Sequence, residues 1–237
     1  GAGKDPGSDR KFFLRKKKLL NRTYLITAGP TRENIDPVRY ISNYSTGKMG
    51  FAIAEQLASA GARVILICGP VQLKTFHPSI ERVDVTTADQ MYEACMTYFG
   101  ECDGAVMTAA VADYAPLVAE KQKIKRTKGN MTLELRPNRD IAAALGRIKK
   151  PSQLLVGFAL ESQNEIENAF SKLHSKNLDM IVLNSLNEEG AGFGYDTNKI
   201  TILTRDKRIL EFPLKSKKEV AADIVNQIIA LDPAKQG

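Results

Sequence analysis

The sequence predicts an α/β fold in which a mainly parallel sheet is covered by helices on both faces. Short apolar runs rich in β-branched residues alternate with segments of helical periodicity along the 237-residue chain. The apolar runs at residues 24–28 and 63–68 are separated by a helical pattern over residues 48–60, which is the arrangement of a βαβ unit. Strands joined through helices run parallel, and such sheets need helices on both faces.

The same alternation continues toward the C-terminus. Further strands are predicted at residues 83–85, 104–107, 154–158 and 180–183. Further helices are predicted at residues 88–99, 164–176 and 217–231. The expected architecture is therefore a Rossmann-like parallel sheet with helices on both faces.

Two segments break this alternation. Residues 124–135 are basic and contain a Gly129-Asn130 turn, which predicts a β-ribbon that acts as a flap or a dimer arm. Residues 200–214 contain two apolar runs around a polar turn, which predicts a C-terminal β-hairpin at an antiparallel edge of the sheet.

Charge and composition suggest one domain over residues 23–237, preceded by a linker or cloning remnant over residues 1–22. Residues 1–22 carry eight Lys and Arg against two Asp, and so hold six of the seven net positive charges. Because the remainder is nearly neutral, we expect no nucleic-acid partner. No apolar run approaches the roughly 20 residues of a membrane span, so no membrane partner is expected either. Three cysteines without a C-x-x-C pair favour a reducing compartment, and we expect a cytoplasmic protein.

The loop between the first strand and the first helix is the strongest local signal for chemistry. It is rich in Arg, Ser, Asn and Thr and leads into a helix N-terminus, where backbone N–H groups and the helix dipole favour a bound phosphate. Gly47-Lys48 does not complete a P-loop, because Ser42 and Met49 stand where that motif needs Gly and then Ser or Thr. No G-x-G-x-x-G follows the first strand, which weighs against a nicotinamide-dependent reductase.

Three further features point to the same edge of the sheet. Asp113 follows a run of small residues after a buried strand and could either meet a ligand or only cap a turn. The basic residues around Lys123 form either a phosphate-binding run or a solvated face. Lys172 and Lys176 lie four residues apart on one predicted helix, a like-charge pair that costs stability and suits a phosphate, although two exposed lysines are the alternative.

In their number and order, the motifs resemble those of the phosphopantothenoylcysteine synthetase family. The matching stretches are residues 27–33, 36–43, 45–50, 109–114, 123–126, 156–158 and 176–179. The resemblance implies a ligase of coenzyme A biosynthesis that joins 4′-phosphopantothenate to cysteine, with CTP in bacterial members and ATP in eukaryotic ones. It also implies a homodimer and, in many bacteria, fusion behind a flavin-dependent decarboxylase, in which case residues 1–22 would be the linker.

Carried over position by position, the resemblance assigns a nucleotide site and three catalytic residues. The nucleotide-binding residues are Met107, Thr108, Ala109, Asp113, Lys123, Arg139, Asp140, Ile141, Ala142, Phe158, Lys172 and Lys176. The catalytic residues are Asn43, Arg39 and Lys123. The chain has Arg139 where the family commonly has Pro, which makes base recognition there less secure, and Arg126 replaces a Lys.

The implied reaction has two steps. The substrate carboxylate attacks the α-phosphate of CTP and releases pyrophosphate, and the amine of cysteine then attacks the acyl-cytidylate and releases CMP. Mg²⁺ and lysines would neutralise the triphosphate, and no protein ligands for Mg²⁺ can be named because phosphate and water often hold it. A nicotinamide-dependent reductase of the same sheet topology remains the alternative, and a non-enzymatic nucleotide-binding regulator is a third possibility.

Overall fold

A computed structural model describes residues 18–126, 128–161, 163–185 and 194–232. Its eight-stranded sheet has the order β12-β11-β10-β9-β6-β1-β4-β5. The six parallel strands are β5 (Ile80–Asp84), β4 (Arg63–Cys68), β1 (Thr23–Ala28), β6 (Gly104–Met107), β9 (Leu154–Glu161) and β10 (Met180–Ser185). The antiparallel edge consists of β11 (Thr197–Thr204) and β12 (Ile209–Ser216). The predicted parallel sheet and C-terminal hairpin are both confirmed.

Five helices cover the two faces of this sheet in the described ranges. They are α1 (Lys48–Ser59), α2 (Ala88–Tyr98), α3 (Ile141–Ile148), α4 (Glu165–Ser175) and α5 (Lys217–Leu231). The apolar sides of α1 and α5 pack into one core cluster with β1 and β4. The apolar sides of α2, α3 and α4 pack into a second cluster on the opposite face. Because both faces of the central strands are buried, their apolar runs are nearly continuous, and the prediction of helices on both faces is confirmed.

The boundaries of several elements differ from the sequence-based prediction. The strand expected at residues 83–85 is β5, which begins three residues earlier at Ile80. Helix α3 was not predicted, because it has only eight residues and little room for a periodic pattern. Residues 1–17, the larger part of the predicted linker, lie outside the described residues. Leu19 is fully buried, and its backbone N–H donates to Ala60 O at 2.9 Å, so this residue is already part of the packed domain.

Two short antiparallel pairs stand outside the main sheet. One joins β2 (Arg32–Asn34) to β3 (Tyr40–Ser42), and the other joins β7 (Tyr114–Pro116) to β8 (Leu135–Pro137). The prediction of a β-ribbon over residues 124–135 is wrong, because its described residues before Leu135 contain no strand. The basic segment is instead a loop, and the β7–β8 pair closes its base. The Gly129-Asn130 turn signal is present, but the flanking side chains are mostly exposed and offer little apolar face to hold a hairpin.

Candidate functional site

A cleft of about 550 Å³ opens at the carboxyl ends of β1 and β6 and beside the neighbouring parts of β9 and β10. Its place follows from the topology. The chain builds β4 and β5 on one side of β1 and then returns to add β6 on the other side. The segments that follow β1 and β6 lead to helices on opposite faces of the sheet, and open α/β sheets bind ligands in the crevice at such a point.

Eleven of the predicted site residues line this cleft together. They are Asn43, Met107, Ala109, Asp113, Arg139, Asp140, Ile141, Ala142, Phe158, Lys172 and Lys176. Thr108 lines a smaller pocket beside it. Arg39 and Lys123 lie outside the linings of both cavities, and Lys123 lines a separate groove under the basic loop. The catalytic roles of these two residues remain predictions.

Hydrogen bonds fasten the loop after β1 to the loop after β6. Ala109 N donates to Thr27 Oγ1 at 3.2 Å, and Ala112 N donates to Thr31 Oγ1 at 3.0 Å. Both threonine side chains are buried, so these bonds are shielded from water. The result is a rigid backbone edge, made mostly of small residues, along the centre of the cleft.

The side chain of Asn43 reaches across this edge from the end of β3. Its Nδ2 donates to Ala110 O at 3.0 Å and to Val111 O at 3.2 Å. The residue is exposed, so its carboxamide lies at the surface of the cleft. The two bonds fix the position of the amide group beside Ala109 and Asp113, which also line the cleft.

Asn138 joins the other wall of the cleft to the same edge. Its backbone N–H donates to Asp113 O at 2.8 Å, and its Nδ2 donates to Ala112 O at 2.8 Å. Its Oδ1 is buried and has no hydrogen-bond partner among the described residues. The turn between β8 and α3 is therefore held against the residues that follow β6.

Asp140 caps α3 and also binds one of the predicted phosphate-binding lysines. One carboxylate oxygen accepts from Ala143 N at 2.9 Å, and the other lies 2.8 Å from Lys176 Nζ. Burial alone would raise the pKa of Asp140, but the bonds from Ala143 and Lys176 outweigh it and hold that pKa below its usual range. The ammonium of Lys176 is thus fixed at the cleft by a charged helix cap.

Arg139 lies at the rim of the cleft, with its guanidinium bound to α2. It pairs with Asp89 at 3.1 Å and with Glu93 at 2.7 Å, and it stacks over the Tyr92 ring at 3.7 Å. The hydrogen bond from Arg136, together with that from Arg139, holds the pKa of Asp89 below its usual range. Arg139 therefore anchors the β8–α3 turn to α2.

A smaller pocket of about 150 Å³ adjoins the cleft at the N-terminus of α1. Lys48 and Lys217 line it, and burial followed by the charge of Lys48 lowers the pKa of Lys217. Gly47 precedes the helix with φ +78°, a left-handed conformation that favours glycine. A Cβ on Gly50 would lie 2.5 Å from Thr108 Oγ1 and 2.6 Å from Ala28 Cβ, so only glycine lets α1 approach the sheet here. The free N–H groups of this helix end and two lysines make the pocket suitable for an anion.

A family model described as the DNA/pantothenate metabolism flavoprotein C-terminal domain matches residues 19–231. The chain belongs to this family. Among curated relatives, a "Cysteine/Cysteine sulfinic acid decarboxylase" of an unknown prokaryotic organism is 55% identical over 224 residues, covering 93% of this chain and 62% of the relative. The "Coenzyme A biosynthesis bifunctional protein CoaBC" of Bacillus subtilis is 48% identical over 213 residues, covering 90% of this chain and 52% of the relative. The chain thus spans half to three-fifths of the length of these relatives.

A solved structure supports the same family assignment. The C-terminal domain of a coenzyme A biosynthesis bifunctional protein CoaBC is 42% identical, has a TM-score of 0.76, and is matched over 91% of this chain and 97% of that one. The DNA/pantothenate metabolism flavoprotein fold therefore accounts for nearly the whole of this chain. The resemblance deduced from the motifs is confirmed at the level of the family.

Several polar residues that line the two cavities were not assigned to the site from the sequence. Among them are Lys48, Asn138, Asn184, Asn198 and Lys217. Asn198 Nδ2 donates to Asn184 Oδ1 at 3.0 Å across the antiparallel pair β10–β11. No local pattern marks these asparagines, whereas the Ser216-to-Glu219 capping box could have placed Lys217 at a helix N-terminus.

Two classes of feature are absent from the described ranges of the domain. No group of three or more His, Cys, Asp or Glu side chains is arranged to hold a metal ion in residues 18–126, 128–161, 163–185 and 194–232. Within the same ranges, no helix has the length and apolar character required to cross a bilayer.

Proposed function

We propose that this domain is a phosphopantothenate–cysteine ligase that acts in coenzyme A biosynthesis through an acyl-cytidylate intermediate. The observation that carries the proposal is the cleft itself. One cavity contains the side-chain amide of Asn43, the backbone of the small residue Ala109, and the lysines Lys172 and Lys176. It lies where the strand order reverses between β1 and β6. The name of the Bacillus subtilis relative and the match to a CoaBC C-terminal domain support the same assignment.

The proposed first step needs cations more than it needs a nucleophile. The carboxylate of 4′-phosphopantothenate attacks the α-phosphorus of CTP, and the bond to the β-phosphate oxygen breaks to release pyrophosphate. Lys172 and Lys176 at the cleft, with Lys48 and Lys217 in the adjoining pocket, offer positive charge to the phosphates. Mg²⁺ bound to the triphosphate would add further charge, and the exposed Asp113 carboxylate is a hard oxygen donor within the cleft that suits this ion.

In the proposed second step, the cysteine amine attacks the acyl carbon and CMP leaves. As the C–N bond forms, the bond from the acyl carbon to the phosphate oxygen breaks and CMP leaves with its electron pair. The amine gives up its proton to water or to the phosphate of the departing CMP. Negative charge develops on the acyl oxygen during the attack, and Asn43 is the amide that we assign to it. One N–H of its Nδ2 would leave Ala110 O or Val111 O and donate to the acyl oxygen instead. The described cysteines, Cys68, Cys95 and Cys102, are all buried, so none is offered to the cleft as a covalent nucleophile.

We propose that the protein acts as a homodimer with both active sites near the interface. Large apolar side chains are exposed on the two small antiparallel pairs and the segments beside them, which lie next to each other in the fold. These side chains are Val38, Tyr40, Tyr44, Tyr114, Leu117, Val118 and Leu135. A second copy on this surface would cover them and lie close to Arg39. Light scattering at assay concentration tests this proposal, and a fully active monomer contradicts it.

CTP is the proposed nucleotide, since the motifs are closer to the bacterial pattern than to the eukaryotic one. We further propose that the full-length protein carries a flavin-dependent decarboxylase segment, because the curated relatives are considerably longer than the region matched. The substrates, free cysteine and a nucleotide, make the cytoplasm the proposed site of action.

The decisive experiment measures pyrophosphate release and amide product with 4′-phosphopantothenate, cysteine and either CTP or ATP. We expect both products with CTP and a lower rate with ATP. Lys176→Met should slow the reaction, and Lys218→Met, an exposed lysine at the start of α5, is the matched control. Absence of pyrophosphate and of the amide with both nucleotides would refute the ligase, and equal rates would refute the preference for CTP. Nicotinamide oxidation in a parallel assay would favour the reductase instead.

A further inference from the structure

Asp36, in the loop between β2 and β3, has a buried carboxylate that collects hydrogen bonds from two distant parts of the chain. Its residue is only 2% exposed. Oδ1 accepts from Val38 N at 2.9 Å and from Arg39 N at 2.8 Å, which closes the local turn. Oδ2 accepts from Arg39 Nε at 3.0 Å and from Ile124 N at 3.1 Å. A single carboxylate therefore joins the turn before β3 to the basic loop.

Arg39 completes the contact by binding the other main-chain polar group of the same residue, Ile124. Its Nη2 binds Asp36 Oδ2 and also donates to Ile124 O at 3.2 Å. The Asp36–Arg39 pair thus binds both the N–H and the C=O of Ile124, as a neighbouring strand would. A second tie lies four residues earlier, where Glu120 N donates to Ile35 O at 2.9 Å.

These ties matter because the basic loop has little else to hold it. Its described residues contain no helix or strand between β7 and β8, and Lys123 and its cationic neighbours are exposed. At the base of the loop, Leu117 N donates to Glu134 O at 2.8 Å, six residues before Lys123. The position of Lys123 therefore depends on the contacts at Glu120 and Ile124, on either side of it.

We propose that Asp36 is a positioning residue that acts through Ile124 to place the Lys123 ammonium for the nucleotide-dependent step. This inference rests on the proposed ligase function for its catalytic part. The docking of the loop stands on geometry alone. Arg39 assists by neutralising the buried carboxylate and by binding Ile124 O, so that the local backbone is held from both sides.

Hydrogen exchange tests the docking without reference to activity. In Asp36→Asn, a side-chain NH₂ group faces N–H groups that donate to the carboxylate in the wild type, so the hydrogen bond from Ile124 N is lost. The backbone N–H of Ile124 should then exchange about tenfold faster than in the wild type or more, as expected for loss of a bond to a charged acceptor. Asp206→Asn is the matched control, because Asp206 binds Arg208 Nε at 2.7 Å in the β11–β12 turn, far along the sheet from this loop. Unchanged exchange at Ile124 in Asp36→Asn would overturn the inference.

A double-mutant comparison tests whether the effect on rate passes through Lys123. Asp36→Asn and Lys123→Gln should each slow pyrophosphate release in a single turnover with CTP and 4′-phosphopantothenate. The double variant should be no slower than Lys123→Gln alone, because a residue that acts through Lys123 has nothing to place once that ammonium is gone. Multiplied losses in the double variant would show that Asp36 acts by another route and would overturn the positioning role.

A second pair of variants serves if Asp36→Asn fails to fold. Ile124→Pro removes the N–H that Asp36 binds, and Ile124→Ala keeps it while removing the apolar side chain. We expect Ile124→Pro to lose rate as Asp36→Asn would, with Ile124→Ala close to the wild type. Equal rates for the two variants would contradict the inference. A wild-type protein without ligase activity would refute the proposed function, and exchange at Ile124 would still decide whether Asp36 docks the loop.

Discussion

Replacing Gly146 with alanine should weaken both the fold and the cleft, since α3 meets the end of α4 at this residue. A Cβ built on Gly146 would lie 1.9 Å from Lys176 O and 2.8 Å from Lys176 C. An ordinary contact is about 3.4 Å or more, so the two elements must separate by more than about 1 Å. The hydrogen bond from Asn177 Nδ2 to Gly146 O, at 2.8 Å, holds them together at present.

The magnitude follows from opposing terms. Overpacking costs about 1–3 kcal/mol, and weakening the Asn177 bond adds about 0.5–1.5 kcal/mol. The better helix propensity of alanine returns up to about 1 kcal/mol. The net loss is about 0.5–4.5 kcal/mol, which leaves the protein folded but lowers Tm by roughly 1–18 °C for a domain of this size. Because the carbonyl that must move belongs to Lys176, its pairing with Asp140 should loosen and nucleotide affinity should fall.

Thermal unfolding followed by circular dichroism, with nucleotide binding measured by calorimetry, tests this expectation. Gly100→Ala is the matched control, because a Cβ there meets nothing within 4 Å. The free energy of unfolding of that variant should stay within about 0.5 kcal/mol of the wild-type value, as it does for surface substitutions, so its Tm should change by no more than about 2 °C. If Gly146→Ala unfolds at the wild-type temperature and binds nucleotide equally well, the close approach of α3 to Lys176 does not govern either property.

Three further predictions concern individual side chains. Asn43→Ala should slow amide formation by about a hundredfold to a thousandfold, the cost of one oxyanion donor. Mass spectra taken before and after cysteine is added should therefore show an acyl-cytidylate that persists after the addition, whereas lost turnover without accumulation would contradict this role. The pKa of Asp89 is lowered in the folded protein, so this carboxylate stabilises the fold above its unfolded pKa of about 3.9, and the stabilisation is lost on acidification. Between about pH 5 and pH 2, the free energy of unfolding in urea should therefore fall less for Asp89→Asn than for the wild type. The difference should be less than about 1 kcal/mol at this exposed site. Burial raises the pKa to about 11 for Cys68 and Cys102 and to about 12 for Cys95, so iodoacetamide should label them only after unfolding; rapid labelling of the native protein would refute it.

The strands that the sequence predicts best are those with nearly continuous apolar runs. The strands at β1, β4, β6, β9 and β10 are buried on both faces, so their apolar runs are nearly continuous and their place in a parallel sheet could be predicted. The basic loop shows the opposite case. A turn signal at Gly129-Asn130 competes with exposed, charged flanks, and a two-stranded ribbon needs an apolar face that these residues lack.

The site shows the same division between local and long-range information. Lys172 and Lys176 could be assigned to one helix face from their spacing alone, and both line the cleft. The pairing of Asn198 with Asn184 depends on the register of β10 and β11, which no local pattern encodes. The docking of Ile124 on Asp36 spans 88 residues of sequence and uses a main-chain group, so side-chain patterns could not reveal it.

Cations around the cleft are held by carboxylates in the structure of the domain alone. Lys176 binds Asp140, Arg139 binds Asp89 and Glu93, and Lys48 binds Asp196. Exposed ion pairs of this kind typically contribute only about 0–1 kcal/mol to stability, so stability alone is a weak explanation for them. Long cationic side chains lose up to about 2 kcal/mol of rotamer entropy when they are ordered. Ion pairs that order these side chains during folding reduce the side-chain entropy that is lost when a phosphate ligand binds, which is how preorganisation increases affinity.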